Sequence, residues 1–226
     1  MPRALLNKIL AAGISLSGGC TDADCVLTWS ANTLTLTMQD RERLYARLER
    51  PARLGAKQPF NRALAPARGG SIIDATGGLG GDSLMLAMVA DSVMTLERNP
   101  VVYAMLAAAL HQAREQGWPA ALRIEEQFGN AVELIPSMPQ ADVIYIDPMF
   151  PPKRRQSALP PKPVRMLRLL VGDDPDAKDL LDVARQHAKQ RVVVKHPLHA
   201  PTLAEDPVAV HKGKVVRYEV YLPVDS

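Results

Sequence analysis

The chain is poor in features that would mark a metal protein, an exported protein or a membrane protein. Its two cysteines, Cys20 and Cys25, have no second Cys or His pair at metal-ligand spacing, and two thiols do not make a disulfide framework. No apolar run approaches the ~20 residues needed to span a bilayer. The N-terminal stretch is interrupted by Lys8 and carries Ser17 where a lipoprotein signal requires an aliphatic residue. We therefore expect a cytoplasmic protein with reduced thiols and with neither a membrane nor a metal as partner.

Net charge is also small, because 27 Lys and Arg against 24 Asp and Glu leave +3. Ordinary proteins reach such values, so the total favours an anionic partner only mildly. Asp and Glu are, however, absent from residues 148–172, which contain these cations: Lys153, Arg154, Arg155, Lys162, Arg165 and Arg168. Such a segment is either a solvated face or a surface that binds phosphates.

The N-terminal part of the chain has the pattern of a small β/α unit. Residues 26–38 alternate as two short strands joined by a tight turn. Asp40 is then expected to cap a charged helix that continues to about Arg50. The following stretch, residues 55–70, is rich in Pro, Gly, Ala and Arg and is typical of a linker or an ordered loop.

From Ser71 onward, short apolar strands alternate with helices. The predicted strands are residues 71–74, 92–96, 122–127, 141–146 and 191–195. The predicted helices begin near Gly80, Pro100 and Asn130, with two more at residues 164–170 and 176–190. This alternation indicates a parallel sheet covered on both faces. Residues 208–211 and 215–221 are joined by a short Lys-Gly-Lys turn, so the last strand is expected to run antiparallel to its partner.

We therefore predict an α/β fold of the class I methyltransferase (Rossmann-like) type. It combines a mostly parallel sheet with a C-terminal antiparallel hairpin and a small N-terminal β/α addition. With 226 residues and 47% hydrophobic content, the chain can bury one substantial core. The predicted division is a small N-terminal region, residues 1–70, followed by a methyltransferase domain, residues 71–226.

A glycine-rich loop follows the first strand of this domain. The strand ends at Asp74, and residues 75–82 should lead into a helix. In an open α/β sheet, ligands bind beyond the carboxyl ends of the strands, and glycine lets the backbone approach them closely. Gly78 and Gly80 are the expected pair, although the cluster fits the G-x-G-x-x-G spacing poorly. The glycines alone are equally typical of an ordinary strand-to-helix turn.

Two further polar residues follow the next strands. Glu97 stands 23 residues after Asp74, close to the ~20-residue separation at which doubly wound folds bind ribose hydroxyls. The alternative is a solvated acid before a helix. Asn130 either contacts an adenine ring or is simply a helix N-cap.

The segment after the apolar residues 143–146 combines a carboxylate, a rigid turn and an aromatic ring. Asp147 and the Pro148 carbonyl are candidate acceptors for the N–H of a planar amine, and Phe150 is a candidate to stack on a flipped base. Taken alone, this motif more often ends a strand and places the Phe in the core. We treat Asp147, Pro148 and Phe150 as the candidate catalytic residues.

Five ordered motifs together resemble the RsmJ family, S-adenosylmethionine-dependent enzymes that methylate N2 of a guanine near the 3′ end of small-subunit ribosomal RNA. The motifs are residues 74–82, 97–102, 145–151, 170–174 and 191–197. The resemblance implies S-adenosylmethionine as cofactor and small-subunit ribosomal RNA, or the 30S particle, as partner. Carried over by position, it places cofactor contacts at Gly81, Asp82, Glu97, Arg98, Gly129, Asn130 and Asp147, beside the Asp74, Gly78 and Gly80 of the loop.

Beside that site, Lys153, Arg154 and Arg155 are the expected phosphate contacts. Lys195, at the end of another strand, either joins them or pairs with a carboxylate at the sheet edge. Other readings stay open: a methyltransferase for another amine, such as adenine in nucleic acid or a small molecule, an oxidoreductase that binds NAD on the same sheet, or a non-catalytic RNA-binding assembly factor.

Overall fold

The computed structural model of the chain describes residues 1–13, 25–38, 42–51, 55–150 and 162–224. The α-helices in these residues are α1 (Arg3–Ala11), α2 (Pro59–Ala63), α3 (Gly81–Leu86), α4 (Pro100–Glu115), α5 (Ala131–Leu134), α6 (Lys162–Val171) and α7 (Ala177–His187). The strands are β1 (Cys25–Ser30), β2 (Thr33–Met38), β3 (Arg43–Tyr45), β4 (Ser71–Asp74), β5 (Ser92–Glu97), β6 (Ile124–Phe128), β7 (Val143–Ile146), β8 (Arg191–Pro197), β9 (Ala209–Lys212) and β10 (Val216–Tyr221). Short 3-10 turns occupy Ala65–Ala67, Ala121–Arg123 and Ile135–Ser137.

The main sheet has seven strands in the order β6-β5-β4-β7-β8-β10-β9. Strands β4 to β8 pair in parallel, whereas β10 runs antiparallel to both β8 and β9. This confirms the predicted parallel sheet with an antiparallel hairpin at its end. The strand order reverses between β4 and β7, and in open α/β sheets the ligand crevice lies outside the carboxyl ends at that point.

The N-terminal strands form a separate antiparallel sheet in the order β1-β2-β3. Ala31 and Asn32 both have positive φ, at 46° and 60°, as a tight two-residue hairpin turn requires, so the predicted hairpin is confirmed. The predicted helix from Asp40 to Arg50 is wrong, because Arg43–Tyr45 is the third strand of this sheet. Asp40 itself lies outside the described residues.

The physical reason is the spacing of the apolar residues. Leu44, Ala46 and Leu48 are buried, whereas the residues between them are exposed. A period of two matches the alternating faces of a strand. The high charge of this segment favours a solvated helix, but its buried face follows the strand period.

The stretch predicted as a linker or an ordered loop instead contributes to the core. Phe60 in α2 is only 3% exposed, and its ring meets Tyr145 and Tyr218 edge-on at centroid distances of 6.2 and 5.7 Å. The other buried residues of this segment are Ala63, Leu64 and Ala67. They follow Phe60 at the three- and four-residue spacing of one helical face.

Apolar residues pack against both faces of the main sheet. Adjacent residues of β4 point to opposite sides, so that Ile72 joins one cluster and Ile73 the other. On the first side, α4 lies between the main sheet and the N-terminal sheet, and residues 102–110 of this helix are all buried. The second side is covered by α7, through Leu180 and Leu181. Among the described residues, no helix has the length and apolar character needed to cross a bilayer.

Candidate active site

A cleft of about 280 Å³ lies at the carboxyl ends of the central strands. Its walls come from the loops after β4, β5, β6 and β7, together with α6, α7 and the loop between them. Several residues predicted from the sequence line it: Gly78, Gly81, Asp82, Glu97, Arg98, Gly129, Asn130, Asp147 and Pro148. Residues that are up to 70 positions apart in sequence therefore share one concave surface, which is the expected arrangement for a ligand site.

Asp74 is predicted as a cofactor contact but lies beneath the glycine loop rather than on the cleft wall. It is fully buried, and its carboxylate accepts hydrogen bonds from Ser83 Oγ at 2.6 Å and from the Thr76 amide at 3.2 Å. Burial raises the pKa of Asp74 to about 7, against the lowering effect of the Ser83 hydrogen bond. The geometry gives Asp74 the task of fixing the loop.

The loop itself depends on left-handed backbone at Gly78 and Gly80, where φ is 53° and 84°. Gly80 is the N-cap of α3, and a Cβ placed there would lie 2.7 Å from Leu106 Cδ1. At Gly81, by contrast, an added Cβ would meet nothing within 4 Å. Gly80 is therefore required by conformation and packing, whereas Gly81 leaves open space on the cleft side.

Glu97 joins the loop to the second strand of the site. Its Oε2 accepts a hydrogen bond from the Gly78 amide at 2.9 Å, and its Oε1 accepts one from the Asn99 amide at 2.7 Å. Burial raises the pKa of Glu97, while these two amides act in the opposite direction. Each oxygen retains a free lone pair, so the carboxylate is able to accept further hydrogen bonds from a ligand in the cleft.

Asn130 combines the two roles that the sequence left open. Its side chain accepts a hydrogen bond from the Val132 amide at 3.0 Å and so caps α5. The same residue lines the cleft beside Gly129. The cap fixes the orientation of the side chain and does not exclude a ligand contact.

Asp174 and Asp176 were not predicted as site residues, and the structure brings both against Arg98. The Arg98 guanidinium donates to Asp176 Oδ2 at 2.6 Å and to Asp174 Oδ1. Asp174 Oδ2 also accepts from the Met149 amide at 2.7 Å. Asp174 thus ties the loop after β7 to the loop after β5. It lay within one of the recognised motifs, but nothing in the sequence pairs it with an arginine 76 residues away.

Asp147 belongs to a network of polar groups at the ends of β7 and β8. Lys195 Nζ donates to Asp147 Oδ2 at 2.9 Å and to Asp82 Oδ2 at 2.7 Å. The Tyr145 hydroxyl also donates to Asp82 Oδ2, at 2.6 Å. The Asp147 amide donates to Thr76 Oγ1 at 2.7 Å, which connects this network to the glycine loop. The two carboxylates share one cation, so their mutual repulsion is offset.

The charges in this network set the protonation of Asp147. Burial raises the pKa of Asp147 to about 6, although the Lys195 ammonium acts in the opposite direction. Burial alone would lower the pKa of Lys195, but Asp147 and Asp82 raise it above its usual value. Lys195 is therefore a permanent cation here. Of its two predicted roles, the described contacts match the pairing with carboxylates at the sheet edge.

Phe150 is not on the cleft wall. Its ring lies against His196, with centroids 4.6 Å apart and planes tilted by 35°, and its carbonyl accepts from Arg168 at 2.6 Å. Arg165, earlier in α6, pairs with Glu42 at 3.2 Å. The predicted phosphate contacts Lys153, Arg154 and Arg155 lie outside the described residues.

Comparisons with known proteins agree with this fold. Residues 20–223 match the profile of the SAM_MT family, described as "Putative SAM-dependent methyltransferase". A crystal structure of a SAM-dependent methyltransferase from Neisseria gonorrhoeae is similar, with a TM-score of 0.77, 27% identity, and coverage of 100% of this chain and 94% of that one.

Curated relatives carry the name ribosomal RNA small subunit methyltransferase J. The protein of Rhodopseudomonas palustris is 45% identical over 164 residues, which are 70% of this chain and 79% of the relative. That of Marinobacter nauticus is 42% identical over 155 residues, which are 66% of this chain and 55% of the relative. That of Coxiella burnetii is 42% identical over 154 residues, which are 67% of this chain and 60% of the relative.

Proposed function

Because the chain belongs to the RsmJ family of SAM-dependent methyltransferases, we propose that it transfers a methyl group from S-adenosylmethionine to the exocyclic N2 of a guanine in small-subunit ribosomal RNA. The ribosomal substrate is supported by the names of the relatives. The choice of guanine N2 follows from the resemblance of the motifs. We also propose that the protein acts in the cytoplasm, on naked RNA or on the small ribosomal subunit.

One observation carries the proposal. The glycine loop with Glu97 forms one part of the cleft wall, and Asp147 with Pro148 forms another part of the same wall. A methyl donor held by the first group therefore lies in the same enclosed space as an amine held by the second. Methyl transfer requires this proximity above all, because alignment and the exclusion of water supply most of the catalysis.

The residues present fit S-adenosylmethionine. Glu97 has lone pairs for ribose hydroxyls, and we assign Asn130 and Gly129, which line the same cleft, to the adenine. Gly78 and Gly81 leave room that a side chain would fill: a Cβ at Gly78 would come no closer than 3.8 Å to Leu167. When bound, the cofactor would supply an electrophilic methyl group, and its sulfonium sulfur would leave as a neutral thioether.

The protein's task at the other end is to hold the amine. The lone pair of a guanine N2 is delocalised into the ring, so an acceptor for its N–H both orients the amine and offsets the positive charge that develops on it. Asp147 Oδ2 is held by Lys195, whereas Oδ1 has no hydrogen bond within the described residues. We assign to Oδ1 and to the Pro148 carbonyl the role of accepting the N–H groups. With a pKa near 6, Asp147 is also able to take the proton that the amine releases.

Phe150 lies outside the cleft wall, two residues after Pro148, and we propose that it stacks on the base from there. Its ring rests on His196, and its carbonyl is fixed by Arg168. A base that leaves its helix needs a flat partner in the pocket that receives it. Stacking on Phe150 requires the exposed side of this ring, with His196 supporting the other side.

The direct test is tritiated methyl transfer from S-adenosylmethionine to small ribosomal subunits that lack the modification, followed by nucleoside mapping. We expect radioactivity in N2-methylguanosine at one position of the small-subunit RNA. Label in N6-methyladenosine would support the rival adenine methyltransferase. No label in RNA, together with intact cofactor binding, would support the assembly-factor alternative.

Asp147 variants test the mechanism within the same assay. Asp147→Asn and Asp147→Ala should bind S-adenosylmethionine within a few-fold of the wild type but lose roughly 10²–10³-fold in turnover, the usual cost of removing one electrostatic partner of a developing charge. Isothermal titration and single-turnover kinetics separate the two effects. Near-normal turnover in both variants would remove Asp147 from the proposed role.

A further inference from the structure

The N-terminal sheet has one buried face and one open face. Its inner side packs on α4 through apolar residues, among them Leu34, Leu36 and Leu44. The alternating residues point the other way, and no described element covers them. A sheet face left open in this manner is available to a partner.

The open face carries hydroxyl groups, an aromatic ring and arginine but no acid. In register across the three strands, Thr28 lies opposite Thr35, which lies opposite Tyr45, and the next row ends in Arg43. The remaining outward residues are Val26, Ser30 and Thr37, whereas the Thr33 hydroxyl accepts a hydrogen bond from Gln112 of α4 at 3.4 Å. The strands contain no Asp or Glu at all. The face therefore presents hydroxyl groups, an aromatic ring and positive charge without an opposing carboxylate.

Arg43 and Arg47 flank the Tyr45 ring along the β3 edge of this face. Arg43, Tyr45 and Arg47 are exposed at alternate positions, and Tyr45 is 55% accessible to solvent. Within the described residues, neither arginine side chain has a hydrogen bond or an ion pair. The nearest acids in sequence are Glu42, which pairs with Arg165, and Glu49, two residues beyond Arg47.

A hollow of about 250 Å³ continues the surface at the end of this edge. Arg47 lines it together with Gln112, Gln116 and Trp118 of the α4 region. Arg50 lies over the Trp118 ring at 5.1 Å, and the indole Nε1 is buried without a partner among the described residues. Beside the hollow, Arg50 and Trp118 therefore add a third cation and a second aromatic ring to those of β3.

This surface is joined to the wall of the cleft. The Glu42 carboxylate, one residue before β3, accepts from Arg165 of α6 at 3.2 Å, and α6 supplies Leu167 and Val171 to the cleft. Past β3, Leu48 Cδ2 lies 3.3 Å from the position of a Cβ on Gly80. A ligand bound along β3 therefore lies on a segment that contacts both α6 and the glycine loop.

We infer that the open face of the N-terminal sheet, centred on Arg43, Tyr45 and Arg47, is a second RNA contact that holds a single-stranded segment flanking the methylated nucleotide. Arg43 and Arg47 bind phosphates, and the Tyr45 ring stacks on a base. The inference rests on the proposed function for the identity of the RNA. It adds a contact surface that the basic residues 153–155 do not include.

Charge and shape favour RNA over a protein partner. A positively charged surface with a free aromatic ring is the general arrangement by which proteins hold single strands, since every base has a face that stacks. The threonine hydroxyls of β1 and β2 add donors for phosphates and for the 2′-hydroxyl of ribose. An apolar protein partner would find only Val26 and the Tyr45 ring on this face.

The test measures binding of the full-length protein to a small-subunit ribosomal RNA transcript as a function of salt concentration. The slope of log K against log salt is negative, and each lost phosphate contact makes it less steep by about 0.7 for a single strand. Arg43→Gln/Arg47→Gln should therefore reduce the steepness by about 1.4. Tyr45→Ala should weaken binding roughly 5- to 150-fold, the range for one stacked base, whereas Tyr45→Phe should stay within about threefold. The affinity for S-adenosylmethionine should be unchanged in all of them.

The matched control is Arg68→Gln/Lys189→Gln, which also removes two exposed cations. These residues precede β4 and β8 and so lie at the amino edge of the sheet, opposite the cleft. An equal change of slope in the control pair, or no change in the Arg43/Arg47 pair, would overturn the inference. So would sedimentation showing that Tyr45→Ala separates a dimer, because the face would then belong to a second copy. If the wild type binds the transcript at this face but transfers no methyl group, the proposed function fails and the contact surface stands.

Discussion

At the scale of single residues, the ionisation of the site depends on one lysine that pairs with two carboxylates. Lys195 bonds to both Asp82 and Asp147, and Tyr145 donates a further hydrogen bond to Asp82. Without the cation, two neighbouring carboxylates would repel each other and one would take up a proton. Lys195 therefore acts as a positioning residue that keeps Asp147 ionised and directed, while its own Nζ is committed to the two carboxylates.

This role predicts a shift in the pH dependence of catalysis in Lys195→Met. Protonation of Asp147 removes the acceptor for the amine, so kcat/KM should fall as pH drops through about 6 in the wild type. Loss of an adjacent cation raises the pKa of a carboxyl group by roughly 1–3 units. The acid limb of the profile should therefore move to higher pH by at least about one unit.

The control for this prediction is Lys195→Arg, which keeps the charge and should leave the acid limb near its original position. The other charged groups that face Asp147 are Asp82 and Asp174, and both stay in place in these variants. A Lys195→Met enzyme that loses activity equally at every pH would show that the lysine contributes only to structure.

At the scale of elements, the turn from β4 into α3 decides whether the cleft exists. Asp74 fixes this turn from below through Ser83 and Thr76, and Gly80 forms its left-handed corner. Because of this arrangement, a side chain at the Gly80 corner should lower the stability of the fold. The two neighbouring glycines allow that sensitivity to be measured.

We expect Gly80→Ala to destabilise the fold by roughly 1–3 kcal/mol, because alanine disfavours φ near +84° and its Cβ would overlap Leu106. Gly81→Ala should leave the stability unchanged or slightly increased, since it adds a methyl group in open space in the first turn of α3. Urea unfolding of the two variants gives both values. Equal stabilities would mean that the turn relaxes without cost.

The same elements show what the sequence could predict and what it could not. The order of strands and helices from Ser71 onward follows from local apolar patterns, and the structure agrees to within a few residues. The contact of Arg98 with Asp174 could not be predicted, because nothing local pairs residues 76 positions apart. The helix predicted up to Arg50 is wrong for a different reason: the high charge of the segment favours a helix, but the two-residue alternation of Leu44 and Ala46 is that of a strand.

At the scale of the molecule, the cleft connects the two apolar layers. Leu79 on its wall packs with the layer that contains α4 and the N-terminal sheet, and Leu96 and Leu180 belong to the layer under α7. A ligand in the cleft therefore contacts groups that become separated when either layer opens. Binding should stabilise the whole domain and not only the loops that touch the ligand.

This connection predicts that S-adenosylmethionine raises the free energy of global unfolding by about 2.7 kcal/mol at a free concentration of 100 times Kd. The ligand binds the folded state, in which the glycine loop and Glu97 are assembled, and the unfolded chain has no such site. Chemical denaturation followed by circular dichroism measures the shift. Asp147→Asn should retain most of it, and Glu97→Ala should lose most of it, because only Glu97 is assigned to the ribose. NAD at the same concentration should have no effect, and a shift with NAD but not with S-adenosylmethionine would instead support the oxidoreductase.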